Sequence, residues 1–168
     1  MKSDTANKHQ KESSADISCG LITLSDSRKS KKADLSGKYI AEEIEKKYTL
    51  KSRSLIPDEK DDLINSIESM ISDGVDVILT TGGTGLDTRD ITVETVESLF
   101  DKKIAGFGEL FRLKSYDEIG SAAILSRATA GIYKKTIIFS MPGSPNAVKT
   151  ALNLIIDELP HFVHHVKR

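Results

Sequence analysis

Apolar residues along this chain recur with two periods that alternate from segment to segment. Residues 17–25 (ISCGLITLS) form a nearly continuous apolar run ending in small hydroxyl groups, which predicts a buried strand. Residues 35–48 follow with Ile40, Ile44 and Tyr48 in helical phase. Over residues 50–56, Leu50, Ser52, Ser54 and Ile56 alternate with more polar neighbours, a second strand that stops at Pro57-Asp58-Glu59. Leu63, Ile64, Ile67, Met70 and Ile71 fit the i, i+3, i+4, i+7, i+8 pattern of an amphipathic helix, and Gly74 closes its C-terminus. The β-branched run at 75–79 (VDVIL) predicts a third buried strand. From Thr92 the phase is helical again, with Val93, Val96 and Leu99 or Phe100 on one face.

The second half is less regular. Residues 105–120 (AGFGELFRLKSYDEIG) predict a short helix at 109–113 between loops, and residues 121–127 a helical turn. Strands at 129–132 and 136–140 flank a tight turn at Tyr133-Lys134 and are therefore antiparallel. The turn Met141-Pro142-Gly143-Ser144-Pro145-Asn146 opens a helix in which Val148, Ala151, Leu152 and Ile155 share a face, and Pro160 starts a separate final turn or helix. Strands alternating with helices imply a three-layer α/β/α sandwich, mostly parallel with one antiparallel strand. The loops at 25–27, 57–59, 81–90 and 142–146 then gather at one edge of the sheet, where such folds bind ligands.

The third strand runs into the densest chemistry of the chain, TTGGTGLDTRD. Gly82, Gly83 and Gly85 allow backbone N–H groups to approach an anion, and the helix opening at Thr92 adds positive potential. No lysine follows, as a P-loop requires, and Thr88 stands where the dinucleotide fingerprint needs its third glycine. An isolated GGTG reads equally well as a glycine turn closing a strand. The charged Asp87, Arg89 and Asp90 favour an active-site loop, because a plain turn needs no such cluster.

Composition narrows the alternatives. At 168 residues the chain makes one domain, at 17–168, able to bury roughly two-thirds of its unfolded surface. Residues 1–16 are polar and aperiodic and read as a disordered tail in which His9 is solvated. A net charge of −1 makes no electrostatic case for nucleic acid. The single cysteine, Cys19, excludes an internal disulfide framework, reads as core packing and suits a reducing cytoplasm. No apolar run approaches the ~18 residues of a membrane span, and the N-terminus lacks an apolar signal core. The basic stretch at 28–32 (RKSKK) reads as a solvated loop or, beside a phosphate site, as an attractor of polyanions. His161, His164 and His165 read as a helix surface rather than a metal cluster.

In order and spacing, TTGGTGLDTRDIT, IPDE, GFGELFR, SYDEIG, SRATAG and MPGSPNAV resemble the MogA/MoaB family of molybdenum-cofactor biosynthesis proteins, which includes the G domains of gephyrin and its plant counterpart. The likeness covers residues 17–168, and GFGELFR and SYDEIG are closer to the MoaB branch. It implies adenylylation of molybdopterin by ATP in trimers or hexamers, with other proteins of the pathway as possible partners. The family's essential aspartates fall on Asp58 of IPDE and Asp90 of TRD. Some MoaB-branch members lack these carboxylates and show no adenylyltransferase activity; both are retained here. Val93 stands where the family usually has proline.

On this resemblance the nucleophile is the pterin's own phosphate, and no protein side chain need act covalently. Thr81, Gly82, Gly83, Thr84 and Gly85 are the expected phosphate contacts. Asp58 and Asp90 have the wrong sign for a phosphate and the right one for Mg²⁺ bound with ATP. Ser25, Asp26, Glu109, Ser144, Pro145 and Asn146 are candidate pterin or nucleotide contacts, although Glu109 reads equally as a surface or cap residue. The competing functions are a non-catalytic molybdopterin- or nucleotide-binding scaffold and an unrelated nucleotide-dependent enzyme on the same fold.

Overall fold

A computed structural model of the chain describes residues 16–26 and 34–168. The basic stretch at 28–32, Ser27 and the tail apart from Asp16 lie outside the described residues. In chain order the elements are β1 (Ser18–Leu24), α1 (Leu35–Glu45), β2 (Thr49–Ile56), α2 (Lys60–Ser72), β3 (Val77–Thr81), α3 (Thr92–Leu99), β4 (Lys102–Lys103) and α4 (Ala105–Ile119). A 3-10 segment (Gly120–Leu125) leads to β5 (Thr129–Tyr133), β6 (Thr136–Met141), α5 (Pro145–Ile155), a 3-10 turn (Ile156–Glu158) and α6 (Leu159–Lys167). The six strands form one sheet in the order β2-β1-β3-β6-β5-β4. Only β5 runs against the others, pairing antiparallel with both β6 and β4.

Every residue of β1, β3 and β6 is buried, as expected of strands covered on both faces. The pleat divides the side chains between two cores. Cys19, Leu21, Val77, Leu79, Ile137 and Phe139 pack under α1, α4, α5 and α6. Ile22, Leu24, Ile78 and Ile138 pack under α2 and α3. Gly20 leaves room for this second layer, because a Cβ there would stand 2.5 Å from Met70 Sδ. Burial pushes the Cys19 thiol up to about 12, aided by the Asp76 charge, so the thiol stays protonated and acts as core packing.

The largest departure from expectation is α4. Its two glycines made residues 105–120 read as loops around a short helix; instead one helix spans fifteen residues. A glycine costs a helix interior about 1 kcal/mol, whereas burying a phenylalanine returns about 1.5–3 kcal/mol. Phe107 and Phe111 are both buried, with Phe107 edge-on to Phe139 at 5.1 Å, so packing outweighs propensity. Gly108 is also required by contact, since a Cβ would lie 2.6 Å from the Ala128 carbonyl. Smaller differences have local causes. The hairpin turn is Lys134-Lys135, one residue later than expected, with φ of 47° and 63° at the two lysines. Helix α1 ends at Glu45, and β3 begins at Val77 rather than Val75 and extends through Thr81. The two-residue β4 carries no periodicity to read.

One buried polar knot fixes α1 against the sheet. Asp34 caps the helix by accepting from the Gly37 amide (2.9 Å), and it also accepts from the Thr23 hydroxyl (2.7 Å) and Arg53 Nη2 (3.0 Å). Burial opposes its ionisation, but the bonds from Thr23, Gly37 and Arg53 outweigh burial and hold its pKa below the ordinary carboxylate range. A depressed folded pKa stabilises above the unfolded value of about 3.9 and is lost as pH falls through the lower folded value. The melting-temperature gap between wild type and Asp34→Asn should therefore be widest near neutrality and narrow steadily below about pH 4. A gap that stays constant down to pH 2 would show that the charge of Asp34 does not stabilise the fold.

Candidate active site

Parallel register brings four strand ends level. Leu24 pairs with Ile56, Thr23 with Thr81, and Thr81 with Met141. The chain leaving each strand therefore enters the same space: Ser25 and Asp26 after β1, Asp58 after β2, the glycine loop after β3, and Gly143 with Ser144 after β6. Together they line a cleft of about 560 Å³. Strand order reverses beside β1, the point where open parallel sheets part to admit ligands.

The glycine loop is shaped by close approach. Gly82 and Gly83 have φ of +97° and +61°, and a Cβ on Gly83 would lie 2.7 Å from Asp58 Oδ1. The Thr92 hydroxyl donates to the Gly82 carbonyl (2.9 Å) and the Thr92 amide to Gly83 O (2.9 Å), tying the first residue of α3 back onto the loop. Buried Thr81 donates to the Pro142 carbonyl (3.2 Å), and the Ser36 hydroxyl donates to Gly143 O (2.7 Å). Thus α1 and β3 both brace the turn before α5. Among the described residues, the amides of Gly83, Thr84 and Gly85 donate to no protein acceptor, which leaves them open to an anion.

The carboxylates divide into two kinds. Asp26 and Asp58 exchange bonds, each accepting from the other's amide at 3.0 Å. Arg89 closes on Asp26 with Nε (3.0 Å) and Nη2 (3.1 Å), and Nη1 reaches Glu59 (2.9 Å). The Asp58 amide, then Arg89, hold the Asp26 carboxyl below the ordinary range. Asp58 shifts the other way. Burial pushes its carboxyl up, and the charges of Asp26 and Asp90 add to the shift against the opposing Asp26 amide. Its Oδ1 is buried with no hydrogen-bond partner among the described residues. Among the described residues, the Asp90 carboxylate accepts only from the Asp87 amide (3.0 Å). Asp58 and Asp90 are thus, among the described residues, the acids of the cleft with no bonded cationic partner. Among the described residues no third acid, histidine or cysteine joins them as a metal cluster. Two carboxylates, one with an orphaned buried oxygen, fit a magnesium ion that draws its remaining oxygens from phosphates and water.

Of the expected contacts, Ser25, Asp26, Gly82, Gly83, Thr84, Gly85 and Ser144 line the cleft with Asp58 and Asp90. Ser144 also caps α5, accepting from the Ala147 amide at 3.3 Å. Pro145 and Asn146 begin α5 outside the lining. Glu109 lies in a different cleft, beside Lys103 and Arg112, because α4 turns that face away from the loop. Arg89, Ser36 and Arg127 carry structure that local pattern did not reveal, since their partners are distant in sequence. Nor did it reveal the apolar wall that Phe111, Ile119, Ala122 and Leu125 supply.

Residues 20–161 match the family model described as a probable molybdopterin binding domain. The chain is 43% identical over 165 residues to a Pyrococcus furiosus protein named molybdopterin adenylyltransferase, covering 95% of this chain and 97% of the relative. It is 42% identical to molybdenum cofactor biosynthesis protein B of Bacillus subtilis, covering 98% of each. Among solved structures, the tungsten cofactor synthesizing protein MoaB from Pyrococcus furiosus superposes with a TM-score of 0.85 at 43% identity, covering 90% of this chain and 98% of that one.

The space around Gly83 yields a direct check on the cleft. Gly83→Ala forces a positive φ on a residue with a Cβ and crowds Asp58 and Thr92. It should lower stability by about 1–2 kcal/mol and weaken binding of inorganic pyrophosphate, a probe of the loop amides, by at least an order of magnitude. Calorimetry showing unchanged pyrophosphate affinity would remove the loop from the site.

Proposed function

The chain belongs to the family of probable molybdopterin binding domains, and from this premise we propose that it is a molybdopterin adenylyltransferase. The observation that carries the reading is one cleft holding loop amides without protein acceptors beside two carboxylates, Asp58 and Asp90, with no bonded cationic partner among the described residues. Amides of the glycine loop suit phosphate oxygens, and the apolar wall suits a flat heteroaromatic ring.

In the reaction, an oxygen of molybdopterin's terminal phosphate attacks the α-phosphorus of ATP. The new O–P bond replaces the bond from that phosphorus to the bridging oxygen, and pyrophosphate leaves with the electron pair. No side chain enters a covalent step, so the protein's work is alignment and charge placement. Gly83, Thr84 and Gly85 donate to phosphate oxygens, and Ser144 lies where the α5 N-terminus adds its positive potential. Asp58 and Asp90 would hold Mg²⁺, which supplies positive charge to the phosphates when bound. Asp26 is spent on Arg89 and serves to place Asp58. A buried lone cysteine agrees with a cytoplasmic setting, and among the described residues no helix is long and apolar enough to cross a membrane.

Self-association is part of the same reading. Helix α4 buries Phe107 and Phe111 on one side yet presents Leu110, Leu113 and Tyr116 on the other, each at least 53% exposed, with Ile124 beyond. A helix apolar on both sides calls for a second cover. Four such side chains offer on the order of 400 Å², the size of patch that on a monomer commonly marks an interaction site and about half of one side of a standard interface. We propose a second copy of this chain as the occupant, on the trimers or hexamers that the family resemblance implies. Leu113→Glu should leave the fold intact and shift light scattering at micromolar concentration to the monomer mass. A wild-type monomer under those conditions would refute the interface.

The function is tested with Asp90→Asn. The amide keeps an acceptor for the Asp87 N–H while losing the charge, so melting temperature should change little or rise. Single-turnover adenylylation at saturating Mg-ATP should fall roughly 10²-fold or more, with pterin affinity preserved. Activity within a few-fold of wild type removes the role of Asp90. A wild-type protein that retains molybdopterin but releases no pyrophosphate is a binding scaffold instead.

A further inference from the structure

Arg127 stands just before β5, far in sequence from the glycine loop, yet its guanidinium is spent on that loop. Nε donates to the Thr84 carbonyl (3.2 Å), and Nη2 donates to the carbonyls of Gly85 and Asp90, the latter at 3.3 Å. Nη1 donates to the Glu94 carboxylate on the first turn of α3. One planar group therefore spans both ends of the segment from Thr84 to Asp90 and the helix that follows it.

The consequence follows from peptide geometry. Among the described residues all peptide bonds are trans, so each N–H points opposite the carbonyl of its own plane. Holding the carbonyls of Thr84 and Gly85 on one guanidinium turns the amides of Gly85 and Leu86 to the opposite side together. Of these two residues Gly85 lines the cleft, while the Thr92 bonds to the Gly82 and Gly83 carbonyls set the planes of the Gly83 and Thr84 amides. Glycine planes are the least constrained in a chain and have no side chain of their own to lock them. Glu94 and the three carbonyls engage Nε, Nη1 and Nη2 of Arg127, so what the side chain contributes at the loop is direction. A lysine ammonium at this place could not reproduce a fork that serves three carbonyls.

We propose that Arg127, which itself lines the cleft, is a positioning residue for phosphate recognition: by gripping the Thr84, Gly85 and Asp90 carbonyls it aims the Gly85 amide at a phosphate, its own nitrogens being taken by those carbonyls and by Glu94. The inference rests on the adenylyl-transfer reading only for the source of that phosphate. It is tested on the full chain with inorganic pyrophosphate as the probe, by titration calorimetry, beside melting temperature and adenylylation. Arg127→Ala should bind pyrophosphate about tenfold more weakly, equivalent to about 1.4 kcal/mol, and adenylylate correspondingly slowly. Millimolar guanidinium chloride, but not sodium chloride, should restore most of the lost affinity in Arg127→Ala and leave wild type unchanged. Arg127→Lys should be at least fivefold weaker than wild type with its melting temperature preserved. Wild-type affinity in either variant overturns the proposal, as does a folded Arg127→Ala that guanidinium fails to rescue. Should Arg127→Ala not fold, Arg127→Lys decides alone. A wild-type protein that binds pyrophosphate without adenylylating molybdopterin refutes the function and leaves this role standing; one that binds no pyrophosphate overturns both.

Discussion

The register between parallel strands is the constraint on which the rest of this structure depends. Leu24, Ile56, Thr81 and Met141 end their strands side by side, so the residues that follow them have no choice but to meet. A register slip on any one strand would turn its apolar set out of the core and displace its loop by several ångströms. The two cores enforce that register from both faces, through Leu21, Leu79 and Phe139 on one side and Ile22 and Ile78 on the other. Burial of these side chains thus places the cleft, although none of them touches it.

Within that frame, the chemistry depends on how charge is allotted. Three aspartates crowd one space, and left alone they would repel. Arg89 takes Asp26 out of the set, and the reciprocal amide bonds use Asp26 to hold Asp58 in place. What remains among the described residues, Asp58 and Asp90, is a deficit of positive charge beside amides that lack protein acceptors. The two deficits are opposite in sign and close in space, which is the arrangement a metal-bound triphosphate satisfies. Arg127 adds a further level, since it constrains the backbone that bears the amides rather than the ligand itself.

Helix α4 joins the site to the outer surface. Its buried face closes the core with Phe107 and Phe111, Ser115 and Ile119 reach the cleft, and its outer face carries the exposed apolar residues. Cleft wall and exposed patch therefore belong to one rigid element, and whatever covers the patch also bears on the wall.

Local pattern carried most of the architecture. Strand burial, the phase of α2 and α5, the hairpin and the convergence of loops at one edge are consequences of periodicity and of parallel topology, and all were legible before any coordinate. The glycine loop stood out by its density of glycine and charge, whereas Asp58 and Asp90 were paired by the family resemblance and not by pattern. What could not be read there depends on contacts between residues far apart in sequence. The continuity of α4 was hidden because glycine propensity acts locally while Phe107 and Phe111 gain their energy from the sheet and α5. Glu109 could be placed only once that helix fixed which side it faced. Arg127 lies 42 residues from Gly85, whose carbonyl it holds, and Ser36 lies 107 from Gly143. Such bonds leave no mark on a one-dimensional pattern, because the sequence between the partners sets only the path and the packed core sets where the path returns.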